Sequence, residues 1–301
     1  MPVVGFLHSA SAGPNVLNIA AFQRGVSESG FINGQNTRIE YHWAENQYDR
    51  LPELATELVR RQVAVIATAG STTAALAAKA ATSEIPIVFN IGEDPVQLGL
   101  VASLNRPGGN ATGVTLFTTE VVAKRLGLLH ELVPGATRVA VLVNPTDATR
   151  MESTVRDVET AARVSGLQID IFNASTIGEI DAAHATIVRT WADAVFVGPE
   201  PFFFSRRVQL AILAARHAIP ATYAARAYVE AGGLMSYGTD TGDLYRQHGV
   251  YVGRILKGTK PSDLPVLQPT KFELLINLHT ARTLSIDVPP SLLARADEVI
   301  E

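Results

Sequence analysis

"ATAGSTTAALAAKAATSEIPIVF", residues 67–89, decides how this chain is read. It opens at the end of an apolar run and turns at Gly70. Ser71, Thr72 and Thr73 follow in succession, then an alanine-rich helical stretch and a second apolar run behind Pro86. Strand, helix and strand in so short a span predict a parallel βαβ unit. A helix N-terminus carries unpaired N–H groups and a partial positive charge, and so can hold an anion. Ser71–Thr73 therefore have two readings: caps of the helix alone, or caps that also hold a ligand.

The same alternation extends in both directions. Strands are predicted at Val3–His8, Arg38–Trp43, Val63–Thr68, Ile85–Ile91 and Thr112–Leu116, with helices at Asn15–Ser29 and Tyr48–Arg61. A second series follows, with strands at Arg138–Asn144, Leu167–Phe172, Ala194–Gly198, Ala221–Ala224 and Leu234–Tyr237. Its helices are predicted at Glu120–Leu132, Arg150–Ser165, Ile177–Trp191 and Phe204–His217, with Asp243–Lys257 and an apolar segment Phe272–Leu278 after it. Continuous apolar runs such as "VAVLV" imply strands buried on both faces. The prediction is two similar α/β lobes: residues 1–116 with about 241–270, and about 117–240 with about 271–301. The boundary near Thr115–Glu120 is short and poor in Gly and Pro, so it reads as a crossing strand.

With 301 residues and 47% apolar composition, the chain has material for two cores of ordinary size. A formal charge of −4 offers no basic footprint for nucleic acid. The absence of cysteine removes thiol catalysis, cysteine–zinc sites and disulfides, and agrees with an oxidising compartment. No apolar run is long enough for a transmembrane helix. "MPVVGFLHS" reads as a first core strand, so the expectation is either a cytosolic protein or an exported one whose signal peptide has been removed.

Ligands of open α/β sheets bind outside the carboxyl ends of the strands. That rule selects "HSASAG" (8–13) with Ser9 and Ala10, and "TAGSTT" (68–73) with Gly70, Ser71 and Thr72. It also selects "NIGEDP" (90–95) with Asp94, "NPTDAT" (144–149) with Asn144, "GPEPFFF" (198–204) with Phe203, and "YAARAY" (223–228) with Tyr223 and Arg226. Asp94 before Pro95 reads also as a helix cap, a role that can coexist with ligand binding, and Asn144-Pro145 as a plain turn. Three phenylalanines after Pro201, of which core packing explains one or two, predict that at least one faces the cleft or the solvent, with an aromatic wall for a ligand as one of the two readings. Arg226 reads either as a surface residue or as a bidentate partner for a ligand carboxylate. Motifs for serine hydrolases, zinc proteases, Walker loops and dinucleotide folds are missing, so neither metal nor cofactor is expected.

Four segments carry a resemblance: "IPIVFNIGEDPVQLGLVASLNRPGGNATGVT" (85–115), "LVPGATRVAVLVNP" (132–145), "AGGLMSYGTD" (231–240) and "RILKGTKPSDLPVLQPTKFELLINLHTAR" (254–282). In order and over almost the whole chain, they resemble the ABC-transporter substrate-binding proteins related to the bacterial tryptophan- and phenylalanine-binding proteins. The resemblance implies a type I periplasmic binding protein: two Rossmann-like lobes joined by three crossing segments, with a ligand cleft between them. It implies hinge closure on a small ligand, delivery to a membrane permease with its ATPase, no catalysis, and a monomer. It also implies that Ala69–Thr73 offers N–H groups to a ligand carboxylate, that Asn144–Thr149 lies across from it, and that Glu200 and Asp240 fall near a ligand ammonium. Where those amino acid binders tend to carry an acid, this sequence has Arg226, which would favour an aromatic or organic acid. Two other classes compete: a regulator's small-molecule sensor domain, and a two-domain α/β enzyme using Glu93 or Asp94 as base.

Overall fold

The computed structural model describes residues 1–116, 118–269 and 271–301, and divides the chain into two compact units. Unit one is Met1–Phe117 with Thr241–Thr270, and unit two is Thr118–Asp240 with Lys271–Glu301. The chain therefore changes unit three times, after residues 117, 240 and 270. Of the expected crossing stretch 115–120, residue 117 and the side chains of 118–120 lie outside the described residues.

Unit one begins with β1 (Val3–His8), α1 (Val16–Glu28), β2 (Arg38–Trp43), α2 (Leu51–Arg60), β3 (Val65–Ala69), α3 (Thr72–Ala81), β4 (Ile87–Ile91) and β5 (Ala111–Thr115). Its sheet runs β2-β1-β3-β4-β5 with every pairing parallel. The strands are apolar throughout because both faces are covered. On one face Leu7, Ile66 and Phe89 pack with Leu51 and Leu58 of α2 and with Ala74 and Ala75 of α3. On the other, Val4, Phe6 and Ala67 pack with Phe22 and Val26 of α1.

Unit two runs through α4 (Thr118–Leu132), β6 (Arg138–Val143), α5 (Ala148–Ser165), β7 (Gln168–Asn173), α6 (Ile177–Arg189), β8 (Ala194–Val197), α7 (Pro201–Ser205), α8 (Arg207–Arg216), β9 (Ala221–Tyr223), α9 (Arg226–Glu230) and β10 (Met235–Thr239). The chain then supplies α10 (Thr241–Leu256) to unit one, and returns with β11 (Phe272–Asn277), α11 (Leu278–Thr283), α12 (Pro290–Leu293) and β12 (Glu298–Ile300). The second sheet runs β12-β11-β10-β9-β8-β6-β7. Its segment β7-β6-β8-β9-β10 repeats the strand order of unit one, so the two similar α/β lobes expected from the sequence are observed. One strand departs from the parallel expectation: β11 pairs antiparallel with β10. It is reached by the third passage rather than through a crossover helix, so nothing in its connection imposes the parallel sense.

Helix α10 lies close against α1. A methyl group at Gly25 would meet the Arg246 carbonyl, and one at Gly249 the Phe22 carbonyl. Neither helix could approach so closely with a larger residue at these positions. The helix expected at Phe204–His217 is two, α7 and α8, meeting at Arg206.

Candidate functional site

In each unit the strand order reverses between the first and third strands, which opens a crevice at their carboxyl ends. In unit one that place lies between β1 and β3, and in unit two between β6 and β8. Ser9, Ala10, Gly70, Ser71 and Thr72 flank the first; Asn144 and Glu200 flank the second. Asp94, Tyr223, Arg226 and Asp240 follow or end the neighbouring strands β4, β9 and β10.

The first rim is organised around His8, the last residue of β1. Its Nδ1 accepts the Ala10 N–H at 3.0 Å, so in the neutral ring the proton sits on Nε2 and is donated to the Tyr245 hydroxyl at 3.2 Å. Burial, and then the neighbouring His248, lower the His8 pKa from 6.5 to about 3. Gly70 lies directly over the ring with φ of +83°, and a Cβ there would collide with the imidazole. Ser71 caps α3 by accepting the Ala74 N–H at 3.2 Å. The Thr72 hydroxyl donates to the Glu93 carboxylate, and Glu93 is only 8% exposed. Asp94 accepts from the Val96 N–H at 2.8 Å and so caps a turn; no helix follows it, contrary to the helix cap its sequence context suggested.

In unit two Asn144 closes a turn: its Oδ1 accepts from the Thr146 N–H and hydroxyl at 3.1 and 2.7 Å. Asp147, absent from the sequence-based site, caps α5 by accepting the Arg150 N–H at 3.3 Å. Arg150 donates to the Pro199 carbonyl at 3.2 Å. Glu200 caps α7 through the N–H groups of Phe202 and Phe203, at 2.6 and 3.2 Å. Tyr223 is wholly buried and stacks on Tyr228 with ring centroids 4.6 Å apart. Its hydroxyl has no hydrogen-bond partner, and burial pushes its pKa up. Asp240 is half-buried beside the second passage between units.

Two side chains do something other than the sequence suggested. Phe203 is wholly buried in the core beside Phe202, because the single turn of α7 points both rings at the sheet. Phe204 is the ring left half-buried, under the Arg207 guanidinium. Arg226 is engaged by three carboxylates: Nε to Glu230 at 2.9 Å, Nη1 to Glu273 at 3.1 Å and Nη2 to Glu298 at 2.7 Å. These bonds, the Glu230 one first, push its pKa up. A guanidinium so occupied gives no support to a ligand that is simply an organic acid.

Arg125 of α4 escaped the sequence reading. Its guanidinium lies 3.9 Å from the centre of the Phe196 ring, and its Nη2 donates to the Val197 carbonyl at 2.9 Å. Burial lowers its pKa to about 9. Its spacing from Val122, Leu126 and Leu129 places it on their apolar face, and that spacing was the available signal. Among the described residues no cluster of His, Asp and Glu is arranged to hold a metal, and no helix is long and apolar enough to cross a membrane. What the rims offer is hydrogen-bond donors, acceptors and charge, held on the ends of rigid strands.

Residues 12–300 match the family described as ABC transporter substrate binding protein. The chain belongs to that family. Its architecture is the type I periplasmic binding protein fold, as the resemblance implied. The chain is similar to a tyrosine-binding protein of Clostridioides difficile (strain R20291), at 28% identity over 265 residues, covering 88% of this chain and 75% of that protein. It is also similar to the crystal structure of an ABC domain in complex with L-Trp from Streptococcus pneumonia, at 26% identity and a TM-score of 0.89, covering 99% of both chains. A conserved domain protein from Vibrio cholerae superposes with a TM-score of 0.90 at 26% identity, again over 99% of each chain.

Proposed function

We propose that this substrate-binding protein is the extracytoplasmic component of an ABC importer. It binds a small carboxylate-bearing ligand, an aromatic or other amino acid or an aromatic acid, and delivers it unchanged to a permease and its ATPase. The observation that carries the proposal is the repeated rim: both units have buried polar side chains, Ser71 and Thr72 in one and Asn144 and Glu200 in the other, at the same topological point. The tyrosine and tryptophan bound by two relatives put aromatic amino acids first among ligands to test. No catalysis is part of the proposal: Glu93 is held by Thr72, and Asp94 is occupied in capping a turn. Periplasmic location, a monomeric state and closure on the ligand belong to the same reading, and closure predicts a smaller radius of gyration in the presence of ligand. Thermal shift and calorimetry with amino acids, aromatic acids and sugars test it. A stabilising hit confined to amino acids or carboxylates is expected, and stabilisation by sugars alone would refute it.

A further inference from the structure

We propose that His8 is a positioning residue of the unit-one rim: its ring holds the loops at the carboxyl ends of β1 and β3, residues 8–13 and 68–73, in the arrangement that receives the ligand. The inference rests on the ligand reading above and adds to it a residue that lies beneath the site.

The ring has a separate use for each loop. In the first, the carbonyls of His8 and Ser9 accept the N–H groups of Ala44 and Asn46, at 2.9 and 2.7 Å. The Ala10 N–H is held by the imidazole instead, at Nδ1. In the second loop, a Cβ on Gly70 would lie no more than 3.0 Å from three atoms of the ring, so the imidazole is the floor on which that backbone rests. The Tyr245 hydroxyl, from α10, meets Nε2 at 3.2 Å and keeps the proton on that side of the ring. Nδ1 is thereby left an acceptor, the form that can take the Ala10 N–H.

This arrangement is not the one that best satisfies the loops themselves. Ser9 and Thr68, one from each segment, are wholly buried, and neither hydroxyl has a hydrogen-bond partner. Such hydroxyls cost free energy that a free loop relaxes away. The ring restrains that relaxation, since Ala10 follows Ser9 and Gly70 lies two residues beyond Thr68. Segments held rigidly, with hydrogen-bonding capacity unspent, are what a preorganised binding site requires.

Asparagine and leucine share one branched shape, and only asparagine offers an oxygen in the place of Nδ1. The test compares the wild type, His8→Asn and His8→Leu by calorimetry with amino acids and aromatic acids, L-tyrosine and L-tryptophan first, and by hydrogen exchange at the Ala10 amide. Both variants lose the floor beneath Gly70 and should bind more weakly than the wild type. His8→Leu should bind about tenfold more weakly than His8→Asn, because a buried N–H has lost its acceptor. Its Ala10 amide should exchange at least about tenfold faster. Melting should follow the opposite order, because leucine buries no polar atom there. A merely structural role gives affinity and melting in one order. The proposal is overturned if His8→Leu binds as tightly as His8→Asn, or if the Ala10 amide is equally protected in both. The nitrogen shifts of the wild-type ring, which need no variant, should show Nδ1 unprotonated, and a proton there overturns it too. A wild type that binds no amino acid and no aromatic acid overturns the ligand reading instead, and the exchange comparison alone then decides the role of His8.

Discussion

Two imidazoles buried in unit one make its stability fall with acid. His8 and His248 are 1% and 0% exposed, and burial lowers their pKa values from 6.5 to about 3 and about 4. His248 donates its Nε2–H to the Val88 carbonyl at 2.9 Å. Both groups have folded pKa values below the unfolded one, so the folded state binds fewer protons under mild acid. Their stabilising contribution is complete above pH 6.5 and drains away as pH falls from there toward 4. At pH 5 an unfolded imidazole of pKa 6.5 gains about 2 kcal/mol from protonation while the buried one gains almost nothing. Together the two histidines should cost about 4 kcal/mol between pH 7.5 and 5, a drop on the order of 10 °C in the melting of that unit. His184 of unit two, whose pKa burial also lowers, adds to the slope of the whole chain, so single variants apportion it. Urea unfolding followed by tryptophan fluorescence reads it, since Trp43 lies 5.0 Å from the His8 ring. His248→Gln, which keeps a donor for Val88, should remove about half of the unit-one slope. A flat profile in the wild type, or a full slope in both His8→Gln and His248→Gln, would refute the reasoning.

Four further perturbations discriminate structural from binding roles. Ser71→Ala deletes the cap of α3 and should destabilise by about 1 kcal/mol by thermal melting, with weaker ligand binding if the rim is the site. Gly249→Ala drives a methyl into the Phe22 carbonyl, and an overpacking cost of about 1–3 kcal/mol is expected from denaturant midpoints. Arg226→Ala breaks three partly exposed ion pairs and should cost no more than about 1 kcal/mol. Ligand affinity measured by calorimetry should not change, and a large loss would restore the carboxylate-binding role of Arg226. Phe203→Ala should cost about 3–5 kcal/mol as a core cavity, visible in melting before any change in affinity.

The fold was largely legible because its information is local. Strand β1 was delimited at Val3–His8 and β2 at Arg38–Trp43 from period and apolar runs alone, and the structure has the same bounds. Direction was legible where a helix joins strands, since crossover connections make neighbours parallel. It failed at β11, whose sense depends on where the chain re-enters unit two and not on any residue in "FELLIN". The split at Arg206 failed for a related reason. "EPFFF" carries its own cap and its own phase, and apolar spacing over 204–217 does not reveal that the turn before it is a separate helix.

The candidate site was legible in position and much less in use. Strand-end rules find Ser71, Asn144 and Arg226, but what each side chain does is decided by residues distant in sequence. Arg226 meets Glu273 and Glu298 from 47 and 72 positions away, and His8 meets Tyr245 from 237 away. A charge counted as free in the sequence is therefore free only until the sheet closes around it. Glu93 shows the converse. Its parity with Phe89 and Ile91 is written in "FNIGE", so its face could be read, whereas its partner Thr72 is adjacent only because β3 and β4 are neighbours. The helix end that sequence alone offers to a ligand anion already faces a protein carboxylate.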